Sequence, residues 1–393
     1  MNRLAITKVN ACEKEFVAYN VLDEQRKLVD FQLFPIEQKS ILNNIYIAKV
    51  ADIIENINAA FVMISPTTKC FLPLENLKNP IFVKKMGKKD KLCQGDEIVV
   101  QVVKEAVKTK DAVVSCQLTF EGNYTVLTTS NKRVGISKKI EEEKRNVLWE
   151  KFIKYKNKDY GIIIRTNSVE VDVETVEKDL NSIIDKYQKI VTYASHKNVF
   201  DVLYESEKGY IVKLRKHNSE LMDFVYTDDE EIFKEISNHL PYLVEQNRVR
   251  FYDDKALSLK SLYNINGAVD ELKRKLVWLN SGANIIIEQL ETLTVIDINT
   301  GKNAKTSNVI EKVNKEAARE IARQIRLRNI SGMIIIDFIN MKSKEQDNEL
   351  IEVLKREIAK DPVTTSFVDI TKLGLVELTR KKISKSLKEI LTY

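Results

Sequence analysis

The spacing of apolar and polar positions changes several times along the chain, and each change marks an element. Over residues 1 to about 37 the two kinds alternate, with Leu4 and Ile6, Phe16 and Ala18, then Val29, Phe31 and Leu33 apolar, the period of a short β-meander. From about 38 to 116 strands alone are predicted, over 45–53, 59–64, 70–74, 96–104 and 112–118. Five strands in this order, with Gly95-Asp96 at a turn, predict a small OB-type barrel. Residues 174–191 read as a helix, and 228–240 and 267–279 carry the spacing of amphipathic helices. The apolar, β-branched runs ending at Asp297 and at Asp337 predict two strands, and between them Val313, Ala317, Ile321 and Ile325 fall on one helical face. Asn308 can cap that helix, with Glu311 three residues on. Strand, helix and strand in this order predict a parallel pair with a crossover. Ser343-Lys344-Glu345-Gln346 is a capping-box signature for a helix running to Ile358, which Asp361-Pro362 ends before a strand over 363–370.

The chemistry concentrates where the parallel pair ends. On a strand Asp297 and Asn299 share a face while Ile296 and Ile298 point into packing. A parallel crossover brings Asp297 and Asp337 to the same carboxyl-terminal edge, where α/β sheets usually place ligands. Two carboxylates and an amide are hard oxygen donors of the kind Mg²⁺ takes, and no His or Cys stands among them. Taken singly, either Asp could instead accept amides of the loop that follows it; the matched pair favours the metal.

Length and composition narrow the class. At 393 residues the chain predicts two to four compact units, and 44% hydrophobic residues suffice for cores. With 63 Lys+Arg against 57 Asp+Glu the net charge is +6, which permits a polyanionic partner without demanding one. Cys12, Cys70, Cys93 and Cys116 form no C-x-x-C pair, which predicts reduced core thiols. Neither a signal-peptide pattern nor a run of 18 apolar residues occurs, so a soluble, cytoplasmic protein is expected.

The residues around the two aspartates also carry a family resemblance. Glu288-Gln289, Glu291 and Leu293-Thr294-Val295-Ile296-Asp297-Ile298-Asn299-Thr300-Gly301 are followed by Asn314-Lys315-Glu316-Ala317-Ala318-Arg319-Glu320-Ile321-Ala322-Arg323-Gln324-Ile325-Arg326-Leu327-Arg328. Then comes Gly332-Met333-Ile334-Ile335-Ile336-Asp337-Phe338-Ile339. Together they resemble the catalytic segment of the RNase E/RNase G endoribonucleases. The resemblance spans essentially the whole chain and is densest over 281–341 and 371–387. Two places depart from the family's pattern. Asn340 stands where the family commonly has a second Asp, and Asn43-Asn44-Ile45-Tyr46-Ile47-Ala48 replaces Gly-Asn-Ile-Tyr-Lys-Gly.

The resemblance implies a Mg²⁺-dependent endoribonuclease acting on single-stranded RNA, with Asp297 and Asp337 holding the metal and Asn299 orienting the first carboxylate or the scissile phosphate. It implies products with 5′-phosphate and 3′-hydroxyl ends, and a role in rRNA processing or mRNA decay. The implied architecture is a mixed α+β and α/β multidomain chain. In it an RNase H-like subdomain without the RNase H active site (1–37 and 211–273) is interrupted by the OB-type RNA-binding barrel (38–116) and a 5′-sensor region (117–210). A DNase I-like catalytic subdomain (274–393) follows. Gly122 and Val126 would line a pocket for an RNA 5′-monophosphate gripped by Arg165 and Thr166, with Lys138 where the family often has an Arg. Phe61, Phe71 and Lys110 align with RNA-contacting positions, although the rings, Phe61 more than Phe71, could instead fill the barrel. Lys84-Lys85, Lys88-Lys89 and Lys91 could meet phosphates or belong to a solvated loop. Arg380, Lys381 and Lys382 could face RNA or form a solvated helix face. Relatives with a zinc link continue past the equivalent of Leu387 into a two-cysteine segment. Here every cysteine precedes residue 117 and His196, His217 and His239 are scattered, so no zinc and only self-association without a zinc link are expected. The rival expectation is a catalytically silent RNA-binding or ribosome-associated protein on the same scaffold; its mark would be loss of the two aspartates, and both are present.

Overall fold

The computed structural model describes residues 2–37, 40–87, 91–106, 110–216, 222–300 and 307–392. Lys88, Lys89, His217, Gly301 and Lys302 fall outside these residues, as does the side chain of Asn308, so the cap expected there is not described. The chain divides into two compact units, Met1–Gln38 with Glu220–Tyr393, and Lys39–Ser219.

The chain opens with β1 (Asn2–Ala11), β2 (Lys14–Leu22) and β3 (Leu28–Pro35), an antiparallel meander as the alternation predicts. The second unit follows. In it β4 (Ile45–Ile54), β5 (Ala59–Met63), β6 (Lys69–Pro73), β7 (Phe82–Lys84), β8 (Glu97–Lys104) and β9 (Ala112–Ser115) pair in the order β4-β5-β6-β9-β8-β7. Pairing of β4 with β8 closes a five-stranded barrel. Its core takes every second residue, among them Ala60 and Val62 of β5 and Cys70 and Leu72 of β6. Alternation therefore turns Phe61 and Phe71 outward, and the reading in which they fill the barrel is excluded. Cys70 and Cys116 are core thiols that burial pushes up, to about 11 and about 12, whereas Cys12 is exposed and Cys93 half-buried. Lys85, expected in a solvated or phosphate-binding loop, instead caps the barrel turn: its Nζ lies 2.6 Å from both Asp96 Oδ2 and the Lys91 carbonyl. Asp96 is fully buried and also accepts the Met86 and Cys93 amides.

The same unit continues through β10 (Thr119–Glu121), β11 (Thr125–Thr128), β12 (Val134–Ile136), α1 (Glu142–Phe152), β13 (Gly161–Ile164) and α2 (Val173–Ala194). Its strands form a four-stranded sheet ordered β10-β11-β13-β12. Asp172 caps α2 by accepting from the Thr175 amide, and Val176, Leu180, Ile183 and Ile190 form its buried stripe. Then β14 (Val202–Tyr204) pairs with β4, and α3 (Gly209–Lys216) ends the described part of the unit.

Back in the first unit, β15 (Met222–Thr227) and β16 (Val249–Phe251) extend the meander into a mixed sheet ordered β16-β15-β1-β2-β3, with β15 parallel to β1. Around it lie α4 (Glu230–His239), α5 (Pro241–Glu245), α6 (Leu259–Leu262) and α7 (Ile265–Lys273). The helix expected over 267–279 stops at Lys273. Leu276-Val277-Trp278 forms β17 instead, because β-branched and aromatic residues next to a free sheet edge gain more from pairing than from a further helical turn.

The last layer is a six-stranded sheet ordered β17-β18-β19-β20-β22-β21, built with β18 (Asn284–Gln289), β19 (Leu293–Asn299), β20 (Gly332–Asp337), β21 (Thr365–Ile370) and β22 (Val376–Arg380). Helices α8 (Ser307–Leu327) and α9 (Lys344–Ile358) contribute Val313, Ala317, Ile321, Leu350 and Leu354 to the core that Ile285, Ile296, Ile334 and Leu378 of the sheet complete. Ser343 caps α9 by accepting the Gln346 amide. The Gln346 side chain turns to Glu311 rather than back to the cap, so only half of the capping box forms. The terminal α10 (Leu387–Thr392) places Leu387 in the core beneath β1–β3. Residues 376–380 are strand rather than helix, and Arg380 is buried rather than solvated. Its guanidinium meets the Asp361 carboxylate at 2.8 and 3.3 Å and the Asn329 side chain and Ile330 carbonyl at 2.7 and 2.9 Å. Lys382 pairs with Glu389 at 2.8 Å. Among the described residues no helix is long and apolar enough to cross a membrane.

Candidate active site

β19 and β20 run parallel, and their register sets Ile296 beside Ile336 and Asp297 beside Asp337. Partners in register on neighbouring strands face the same side, with backbones about 4.8 Å apart. The isoleucines are buried on the helix-covered face, so the two aspartates share the other face at the strands' carboxyl-terminal ends, Asp297 half-buried and Asp337 exposed. Asn299, next on that face, donates from Nδ2 to Asp297 Oδ2 at 2.9 Å. That bond holds one carboxylate oxygen and leaves Oδ1 clear of the amide. Among the described residues neither Asp has a lysine or arginine within ion-pair distance.

Two like charges placed in register on adjacent strands destabilise a sheet unless something between them carries positive charge. The pair therefore has the chemistry of a divalent-cation site. Among the described residues no group of three or more His, Cys, Asp and Glu is arranged to hold a metal. Two carboxylates suffice for Mg²⁺, which usually keeps several waters and takes further oxygens from substrate phosphates.

One residue behind the site was not foreseen. Asn314 on α8 is fully buried, and its amide clamps the backbone just beyond Asp337, donating to the Ile339 carbonyl at 2.7 Å and accepting the Ile339 amide at 3.2 Å. An Asn on the apolar side of a helix was the only hint, since Asn is unfavourable in helix interiors and stays buried only when both ends of its amide are satisfied. The neighbouring turn of α8 is tied to α9: Lys315 bridges Glu311 and Glu349 at 2.6 Å each.

In the other unit, the residues expected to receive a phosphate lie on or beside the four-stranded sheet. Register puts Glu121 beside Val126 and Val126 beside Ile163, so these side chains share one face. Arg165 leaves the end of β13 with its amide donated to the Tyr124 carbonyl at 2.8 Å. Thr166 follows it, its hydroxyl 2.8 Å from that of Ser137. Lys138 is exposed in the turn after β12. Gly122 is buried under α2, where a Cβ would stand 2.4 Å from Asp179 Oδ2. That Asp179 carboxylate accepts the Asn123 and Tyr124 amides and the Thr125 hydroxyl at 2.8, 3.0 and 2.6 Å. The glycine is thus required by the close approach of a helix side chain.

Arg165 has company that sequence spacing did not foretell. Its Nη2 lies 3.2 Å from Glu121 Oε2, and Lys216 from α3 meets Glu121 Oε1 at 2.9 Å. Burial works to raise the Glu121 carboxyl, but Lys216 and Arg165 outweigh it and hold it below the usual range. Arg215 beside it is buried, pairing with Glu207 at 2.5 Å and donating to Asn123 Oδ1 at 2.8 Å.

On the barrel, Phe61 and Phe71 oppose one another across β5 and β6, half-exposed, with ring centroids 5.8 Å apart. Lys69 Nζ stands 4.4 Å over the Phe61 ring, and Lys110 is exposed at the start of the next strand-forming stretch. Asn43 adopts φ +67°, a left-handed conformation that Asn tolerates where the family's pattern has Gly.

The family model described as the Ribonuclease E/G family matches residues 119–383. A putative ribonuclease E from Buchnera aphidicola subsp. Baizongia pistaciae is 32% identical over 399 residues, covering 97% of this chain and 96% of that protein. Ribonuclease E of Haemophilus influenzae is 31% identical over 97% of this chain, which spans 42% of that protein's length. Ribonuclease G of the same organism is 29% identical over 90% of this chain and 75% of its own length.

Proposed function

The chain belongs to the ribonuclease E/G family, and from that premise we propose that it is an endoribonuclease cutting single-stranded RNA at the Asp297–Asp337 edge, in RNA processing or decay. The observation that carries the proposal is the register of two unpaired carboxylates on adjacent parallel strands, one of them held by Asn299. Asp297 and Asp337 would hold a divalent cation, Mg²⁺ by the hardness of the donors. When bound, that ion supplies a Lewis acid for the scissile phosphate and an acidified water. The chain's own part is to hold the carboxylates still: Asn299 restrains Asp297, and Asn314 pins the backbone that follows Asp337.

The strand order β3-β2-β1-β15-β16, with a meander and two parallel strands, supports an RNase H-like reading of that sheet, and the helix-backed six-stranded sheet supports a DNase I-like reading of 274–393. Phe61, Phe71, Lys69 and Lys110 offer stacking faces beside positive charge, as single-strand binders do. Arg165 and Thr166, with Lys138, Gly122 and Val126 around them, would receive a 5′-monophosphate, favouring RNA that carries one.

The test uses the full chain with an unstructured RNA labelled at its 3′ end and the same RNA in a perfect duplex. Internal cuts in the single strand, with the duplex spared, are expected. A ladder growing from one end, or no cutting, would overturn the proposal.

A further inference from the structure

Arg165 does not wait empty. Its guanidinium and the Lys216 ammonium converge on the two oxygens of one carboxylate, Glu121, in the manner in which they would converge on two oxygens of a phosphate. Resting on the 5′-phosphate reading of this pocket, we infer that Glu121 is a resident counter-ion that sets how strongly the pocket prefers a terminal monophosphate, and that Lys216 is a phosphate-binding residue beside Arg165.

Charge decides the direction. Arg165 and Lys216 contribute two positive charges and Glu121 removes one. A terminal phosphate monoester carries about −1.5 to −2 at neutral pH, whereas an internal phosphodiester carries a single charge. Removing the Glu121 charge raises the pocket's positive charge by one, and the more highly charged terminal group gains more from that than an internal diester does. Glu121 also takes donors that the incoming phosphate would use, so binding must either displace it or accept its repulsion.

The backbone that carries Arg165 is held without Glu121. The Arg165 amide is fixed on the Tyr124 carbonyl. The loop carrying Tyr124 is fixed in turn by Asp179 through two amides and a hydroxyl. Glu121 holds only one guanidinium nitrogen, Nη2, at 3.2 Å.

The experiment measures affinity of the full chain for a short unstructured RNA with a 5′-monophosphate and for its 5′-hydroxyl twin, in EDTA so that nothing is cut. The ratio of the two affinities is compared among wild type, E121Q, E121A, K216A, R165A and the double variant E121Q/R165A, each checked by thermal melting. E121Q and E121A should each raise the ratio at least threefold, K216A should lower it, and both R165A and the double variant should bring it to one. A ratio unchanged or lowered in E121Q, with wild type above one and R165A at one, overturns the counter-ion role and leaves 5′-phosphate binding standing. A ratio of one in wild type and every variant overturns the 5′-phosphate reading and the inference with it.

Discussion

At the carboxyl-terminal ends of β19 and β20 two carboxylates stand side by side with no lysine or arginine at ion-pair distance among the described residues, while around Arg165 two cations hold a carboxylate of their own chain. Like charges in register on adjacent strands disfavour pairing, and a cation between them would offset that. The second is neutralised in part from within, by Glu121 between Arg165 and Lys216. In the proposed reading the first arrangement serves cutting and the second the choice of RNA end.

The largest effect should come from the uncompensated site. D297N or D337N should lower turnover at least a thousandfold, about 4 kcal/mol of barrier, with RNA affinity in EDTA nearly unchanged. Either substitution should leave the metal-free melting temperature equal or raised, because it removes a like-charge neighbour. Retention of more than about a tenth of the rate would remove that Asp from the assigned role. On the other side of the comparison, R165A should erase the rate difference between 5′-monophosphate and 5′-hydroxyl RNA. Losing a charge-assisted phosphate contact is worth about 1.5–3 kcal/mol, so a difference that survives the substitution would locate the sensor elsewhere. The smallest effect belongs to N299A. It removes one bond to a half-exposed carboxylate and should slow cutting about tenfold, about 1.4 kcal/mol, with much of the loss recovered at high Mg²⁺. A loss as large as that of D297N would give Asn299 a direct part in the chemistry.

The two sites also differ in how legible they were. Asp297 and Asp337 sit at the ends of regular strands joined by a regular helix, so period two and period 3.6 sufficed to bring them together. The Arg165 pocket draws Glu121 from a strand end, Asp179 from the middle of α2 and Lys216 from the last turn of α3. No periodicity links those positions, and only the tertiary arrangement makes neighbours of them. Phe61 and Phe71 were ambiguous until the register of β5 and β6 decided which face is the barrel's interior. Misreadings fell where pairing overrode local pattern. Leu276-Val277-Trp278 left its helical spacing to join β18, and Arg380 at the end of β22 was drawn inward by Asp361. The role of Asn314 lay in the conformation of the loop after Asp337, which a one-dimensional pattern does not carry.

In the proposed function the Asp297–Asp337 edge cuts RNA only with a divalent cation in place. Its most direct test is the initial rate of cutting of a fluorogenic single-stranded RNA by the full chain, first stripped with EDTA and then titrated with Mg²⁺. No cutting in EDTA is expected, and a saturable rise with Mg²⁺ that D337N does not show. Cutting that persists in EDTA, or an equal response from D337N, would contradict it.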